Sequence, residues 1–202
     1  MTITAQRPTG TDFATARRAM IDSQLRVSGV NEDFVLAAMN RVPREDFVPA
    51  AARGHAYIDR AIPLQNGRAM PAPLFHGRLL SEAAPAADDK VLLVSCGSGY
   101  LAALVEPLVG SLVVVDAADA VAANKKQSGF TLLLIDGAIE QLPEPLAAQL
   151  AEGGRIVTGL VTRGVTRLAS GRKLGGAIAL LPLAEMGIPL LGEFAAPKRW
   201  SF

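Results

Sequence analysis

Four uninterrupted apolar runs, Val91 to Val94, Leu112 to Val115, Thr131 to Ile135 and Ile156 to Leu160, dominate the pattern of the second half of this chain. A strand with one wet face alternates apolar and polar residues, whereas a run without alternation belongs to a parallel strand covered on both faces. Segments able to form helices or turns separate the runs, so the pattern predicts an α/β fold with a parallel sheet. Leu142 to Ala151 predicts the helix that delivers the chain through Gly153-Gly154 into the last run. Gly176 to Phe194 carries two apolar runs on either side of Glu185-Met186-Gly187 and predicts an antiparallel pair. In the first half, residues 1–12 are polar, hold Pro8 and Gly10, and predict a loose arm. From Asp12 to Met39 apolar residues recur at helical spacing, as in Phe34, Val35, Ala38 and Met39, and Gly29 breaks the stretch into two helices. Val42 to Pro49 places two prolines around Phe47, and Ala61 to Pro73 brings three more with Gly67, which predicts a long shaped loop of the kind that covers a site. Leu74 to Ala84 returns to helix.

Composition narrows the class. The 202 residues are 50% hydrophobic and 19% charged, enough for one good core and too apolar for disorder. Net charge is +1 and no Lys/Arg run exceeds two residues, which excludes the footprint of a general nucleic-acid binder. The most apolar window, Val91 to Val115, is interrupted by Gly97, Gly99, Glu106, Pro107 and Gly110, so it reads as strand, turn, helix and strand rather than a membrane span. No apolar segment follows a basic one in Met1 to Asp12, so no signal peptide is expected, and the single Cys96 excludes an internal disulfide and fits a reducing cytoplasm. No repeat or linker divides the chain, and one structural domain is expected.

The chemistry concentrates in Lys90 to Ala103, where a buried strand stops at a turn with Gly97 and Gly99 and a helix opens directly after it. Such a turn aims backbone N–H groups and a positive helix end at one spot, and the missing side chains admit a ligand to the backbone. Asp116 lies nineteen residues after Gly97 at the end of the next strand, where a carboxylate can accept both hydroxyls of a ribose. Gly97-x-Gly99-x-x-Ala102 also satisfies a relaxed dinucleotide fingerprint, so a nicotinamide site competes at this point. A nucleophile elbow needs glycines two residues before and after the nucleophile, which Ser95, Cys96 and Ser98 all lack. No Gly-Lys-Ser/Thr follows a phosphate loop, and His55 and His76 with one cysteine do not make a usual zinc site, so no metal is expected. Both histidines read as ordinary hydrogen-bonded or surface residues, and Cys96 as small apolar filler.

Beyond these readings, Gln24-Leu25 with Gly29-Val30, the run Val35-Leu36-Ala37-Ala38-Met39-Asn40-Arg41-Val42-Pro43-Arg44-Glu45-Asp46-Phe47-Val48-Pro49, and Ala56-Tyr57-Ile58-Asp59 closely resemble the N-terminal signature of protein-L-isoaspartate O-methyltransferases. Val91-Leu92 through Gly97-Ser98-Gly99-Tyr100 resembles that family's S-adenosylmethionine loop, and Leu146 to Val157 its entry into the fifth strand. The resemblance implies a Rossmann-like methyltransferase fold, with an N-terminal arm and helical cap over residues 1–89 and a core over 90–202. It implies methyl transfer from S-adenosylmethionine to isoaspartyl carboxylates in protein repair. Gly97, Ser98, Gly99 and Asp116 would then hold the cofactor, and the loop residues Gly67, Arg68, Ala69 and Met70 would cover the substrate. An isoaspartyl carboxylate is already ionised at neutral pH, so the chemistry asks for positioning and exclusion of water rather than a general base.

Three departures from the family fall at functional positions. Its covering loop reads Gly-Gln-Thr-Ile-Ser-x-Pro, with the serine on the reacting carboxylate, whereas this chain has Gly67-Arg68-Ala69-Met70-Pro71-Ala72-Pro73. Pro71 stands at the serine position and offers no donor, so no residue is assigned as catalytic. Arg68 is read as a surface arginine, with carboxylate binding as its alternative. Leu93 replaces an acid and Ser95 the first glycine of the nucleotide turn, both expected to weaken cofactor binding. Only 13 residues separate Asp116 from Phe130, room for a single crossover of roughly 10 to 12 residues. The third strand and its adenine-binding acid are therefore expected to be missing, with Ala117 to Lys126 crossing directly to the next strand and the Leu112 to Val115 edge left open for self-association or a partner. The expected function is accordingly an impaired or lost methyltransferase, with S-adenosylmethionine bound only if the site is retained. A protein or peptide partner or an assembly role is expected, and an active divergent enzyme is the alternative.

Overall fold

The computed structural model describes residues 12–122 and 127–196; the expected N-terminal arm up to residue 11 and the last part of the Ala117 to Lys126 crossing lie outside them. Two short strands, β1 (Ile62–Pro63) and β2 (Ala69–Met70), pair with each other. Six longer ones, β3 (Lys90–Ser95), β4 (Ser111–Asp116), β5 (Phe130–Ile139), β6 (Leu150–Thr162), β7 (Val165–Leu174) and β8 (Ala177–Glu185), form one sheet in the order β4-β3-β5-β6-β7-β8. β4, β3, β5 and β6 are parallel, and β7 and β8 are antiparallel additions. Around the sheet lie α1 (Phe13–Met20), α2 (Asp33–Arg41), α3 (Pro73–Ala83), α4 (Tyr100–Val105), α5 (Ala117–Ala122) and α6 (Glu144–Ala148).

Burial follows the apolar runs. Every residue from Val91 to Val94 and from Leu132 to Ile135 is buried, as two covered faces require. In β4 only Val115 is buried, because β3 is its one neighbour among the described residues. The expected shortening is thus observed: the chain passes through α5 and rejoins the sheet on the far side of β3. One hydrophobic cluster runs from Met20 in the cap to Phe194 near the C-terminus. The cap begins where Asp12 accepts the Thr15 N–H and its hydroxyl, the arrangement that satisfies a free helix N-terminus. The first helical stretch continues as tighter and looser turns to Gly29, whose φ of +83° ends it. Pro73 opens α3, where its missing N–H and fixed φ fit the first helical position.

Two expectations need correction. The antiparallel pair is not formed within Gly176 to Phe194 but by β7 and β8, joined at Gly175-Gly176 with φ of +59° and +79°. β7 escapes a hydrophobicity reading because Arg167, Arg172 and Lys173 interrupt its apolar residues; two tight turns with paired positive φ values, here and at Arg163-Gly164, make it a strand. The second apolar run, Ile188 to Leu191, instead clips onto the end of β5, where Ala138 donates to Pro189 and accepts from Leu191. The helix expected over Leu142 to Ala151 is only Glu144–Ala148, because Leu150 and Ala151 already belong to β6.

β5 and β6 meet most tightly at Gly159. A Cβ there would lie 2.9 Å from the Ala138 Cα, the Gly137 oxygen and the Ile188 Cγ2, two of them backbone atoms that cannot turn aside. Gly159→Ala is expected to cost about 1–3 kcal/mol, measured as a lower urea midpoint with unchanged slope.

Candidate functional site

The chain leaves β3 toward β4 on one side and returns to β5 on the other, so the carboxyl ends of these strands open a crevice at the reversal of strand order, the usual ligand position in such sheets. The register aligns Ser95 with Asp116 and Val94 with Ile135, which brings Cys96, Asp116 and Asp136 to the same end. The turn after β3 has Gly97 at φ +99° and Gly99 at +77°, values side chains disfavour. Ser95 is tolerated here because its Oγ accepts the Gly97 N–H at 3.0 Å, and the Ser98 Oγ accepts the Tyr100 N–H at 3.2 Å. Two turn amides are thereby satisfied within the chain. Asp46, Phe47, Val48 and Pro49 from the cap and Leu64, Gln65 and Arg68 from the loop roof a cavity of about 470 Å³ whose floor is Cys96, Gly97, Ser98 and Asp116.

Arg68 dominates this cavity. Its Nη1 and Nη2 donate to the two Asp116 oxygens at 2.5 and 2.7 Å, and Nη2 and Nε donate to the Glu193 Oε1 at 2.6 and 3.1 Å. The expectation of a surface arginine is corrected: the side chain is 20% exposed and tied to two acids from separate segments. Paired N–H donors in a planar fork suit one carboxylate, which is why the contact is bidentate. The bonds from Arg68 hold the Asp116 carboxyl down at about 2, and the same contacts raise Arg68 above the usual arginine range.

Behind the turn lies a fully buried polar relay. Arg44 donates to the Ala56 carbonyl at 2.8 Å, the Pro71 carbonyl at 2.5 Å and the His76 Nδ1 at 3.1 Å. A guanidinium only donates, so Nδ1 must accept, leaving the imidazole proton on Nε2 for the Asp136 Oδ1 at 2.8 Å. The Cys96 thiol donates to the other Asp136 oxygen at 3.0 Å. Burial lowers the His76 pKa and pushes the Cys96 thiol up, so the ring is neutral and the thiol is no nucleophile. Arg44 lies 4.9 Å from the centre of the Tyr100 ring and stacks its charge on that face.

The structure therefore brings Gly97, Ser98, Asp116 and Arg68 together and separates the other loop residues. Gly67 forms the turn at φ +74°, Ala69 faces a second, apolar groove of about 640 Å³ beside α3, and Met70 is wholly buried. Gly99 supports the turn beneath the Phe47 ring, which is 3.8 Å from where its Cβ would stand. His76 is hydrogen-bonded in the interior, as expected, and His55 is exposed. Glu193 and Asp136 had escaped the sequence reading, and Arg44 had entered it only as part of the family resemblance, with no role. Glu193 is 125 residues from Arg68 and leaves no spacing signal, whereas Asp136 directly follows an apolar run, as Asp116 does, and could have been marked by that parallel.

The sequence profile described as Protein-L-isoaspartate(D-aspartate) O-methyltransferase (PCMT) matches residues 15–124, more than half of the chain. The chain belongs to this family. A protein-L-isoaspartate O-methyltransferase of Koribacter versatilis is 32% identical, with 94% of this chain and 96% of the relative covered. One from Aeropyrum pernix is 33% identical, covering 93% and 84%. Among solved structures, a Plasmodium falciparum protein-L-isoaspartate O-methyltransferase in complex with S-adenosyl-L-homocysteine superposes with a TM-score of 0.65 at 17% identity, covering 89% of this chain and 97% of that one, a likeness of fold. Family membership thus agrees with the Rossmann-like fold, and among the described residues no helix is long and apolar enough to cross a membrane.

Two outcomes test the geometry. Because the Asp116 pKa is depressed, the stability it contributes is complete above its unfolded value near 3.9 and is lost as pH falls through about 2; Asp116→Asn should flatten the acid limb of a stability-against-pH curve relative to the wild type. Removing Arg44 leaves the buried Ala56 and Pro71 carbonyls and the His76 Nδ1 without their donor and opens a cavity, so Arg44→Ala should cost about 3–5 kcal/mol in urea unfolding.

Proposed function

We propose that this chain is a member of the protein-L-isoaspartate O-methyltransferase family in which methyl transfer from S-adenosylmethionine is impaired or lost, retained for a protein or peptide partner in the reducing cytoplasm that its single buried cysteine suits. The observation that carries the reading is the bidentate Arg68–Asp116 contact. A carboxylate at this strand end serves a nucleoside by accepting both ribose hydroxyls. Each Asp116 oxygen here accepts a guanidinium N–H instead, so the glycine turn suits the cofactor while the ribose seat does not.

The substrate side supports the same reading. Methyl transfer to a carboxylate needs donors that hold one oxygen in line with the methyl group. In the covering loop Ala69 and Pro71 have no side-chain donor, the Pro71 carbonyl is turned inward onto Arg44, and four of the five Arg68 N–H donors are engaged by Asp116 and Glu193. The open edge of β4 adds that no described strand continues the cofactor half of the sheet beyond Asp116.

Calorimetric titration of the wild-type chain with S-adenosylhomocysteine is expected to show no saturation at tens of micromolar, and an isoaspartyl peptide should take up label from S-adenosylmethionine no faster than the enzyme-free blank. Micromolar affinity together with incorporation that disappears in Asp116→Ala would overturn the proposal.

A further inference from the structure

We infer that Arg68 is an autoinhibitory plug, a single side chain that competes with a nucleoside ribose for Asp116 above the glycine turn that follows β3. This rests on the reading of a closed cofactor seat and adds that closure belongs to one removable group rather than to collapse of the crevice.

Three observations carry it. The first is what lies beneath the arginine. Gly97 keeps its φ of +99°, and beyond its own chain neighbours the one atom within 4 Å of the Cβ position there is the Arg68 Nη1 at 3.7 Å, so the guanidinium stands directly over the turn. The second is how the plug is seated. Both Asp116 oxygens accept from Arg68, and a ribose would need the same two oxygens, so the two occupants exclude one another. Asp116 itself stays partly exposed and anchored, its Oδ1 also accepting the Ala118 N–H at 3.0 Å, so the carboxylate remains aimed into the crevice without Arg68. The third is the mounting. β1 and β2 have two residues each and among the described residues pair only with one another, and a Cβ at Gly67 would meet nothing within 4 Å. On the other side the loop is pinned by the buried Arg44–Pro71 contact. The Arg68 backbone is held within the hairpin, its carbonyl accepting the Leu64 N–H at 2.8 Å, so withdrawal of the plug asks for a swing of its side chain rather than release of the Pro71 end. Glu193, on a turn from the far end of the chain, is a second hold on the guanidinium that does not line the cavity.

A plug of this kind reduces apparent affinity by the fraction of molecules in which it is withdrawn, and removing it restores the intrinsic affinity. The test is titration of S-adenosylhomocysteine, with adenosine as the minimal nucleoside, into the wild type, Arg68→Ala, Arg68→Met, Glu193→Gln and the double variant Arg68→Ala/Asp116→Asn, each first shown to melt cooperatively. Both Arg68 variants should bind at least about tenfold more tightly than the wild type, Glu193→Gln should gain less, and the Asp116→Asn change should abolish the gain. Folded Arg68 variants that bind no better than the wild type would overturn the plug while leaving the proposed loss of function standing. Micromolar binding by the wild type, unchanged in the Arg68 variants, would overturn both. Should Arg68→Ala fail to fold, Arg68→Met, which keeps the aliphatic stem, and Glu193→Gln decide the matter.

Discussion

A full positive charge buried beneath the covering loop sets the terms for everything around it. Arg44 is 0% exposed, and an ion so placed is tolerated only when its donors and its charge are answered at close range. The answers come from separate parts of the chain: the Ala56 and Pro71 carbonyls, the His76 ring on α3 and, through that ring, the Asp136 carboxylate on β5. The cap, the loop, a helix and the sheet must each be in register for the charge to be compensated. Neighbouring contacts serve the same end, since Glu45 and Tyr57 bind one another and both receive Arg17 from α1. Arg44, Glu45, Ala56 and Tyr57, all within the segments that carry the family resemblance, thus help fasten the cap to the sheet.

With Pro71 fastened from below, the opposite side of the small hairpin falls over the crevice, and the side chain presented there is an arginine. The two arginines of this region behave oppositely. Arg44 is closed off from water and salt, and its network is a fixed part of the core. Arg68 bridges partly exposed acids at the mouth of a cavity, where ionic strength screens the contact and solvent competes for it. The structure therefore combines a buried, enclosed charge network with a solvent-accessible one at the cavity mouth.

The short crossover after β4 alters the sheet without undermining it. β3, β5 and β6 retain a neighbour on each side and bury both faces along β3, β5 and the Ile156 to Gly159 stretch of β6, and the register linking Ser95 to Asp116 holds at the edge. Asp116 accordingly ends an outer strand, where it is partly exposed and bonded to Arg68.

The parallel core, the glycine turn and the acid at the end of the second strand were all legible in the sequence, because each depends on local periodicity or on residues adjacent in the chain. Gly97 and Gly99 are required by φ values belonging to one turn, and the missing strand followed from counting the 13 residues between Asp116 and Phe130. The β7–β8 hairpin was not legible, since its interleaved charges hide it from a hydrophobicity pattern and its turns decide it. Nor was the state of the site. The sequence alone marked Arg68 and Asp116 as chemically interesting at positions 48 residues apart, but a charge pair depends on distance in space. Only the tertiary structure, by folding the loop over the strand ends and bringing Glu193 from the far end of the chain, decided that the arginine closes its fork on the Asp116 carboxylate.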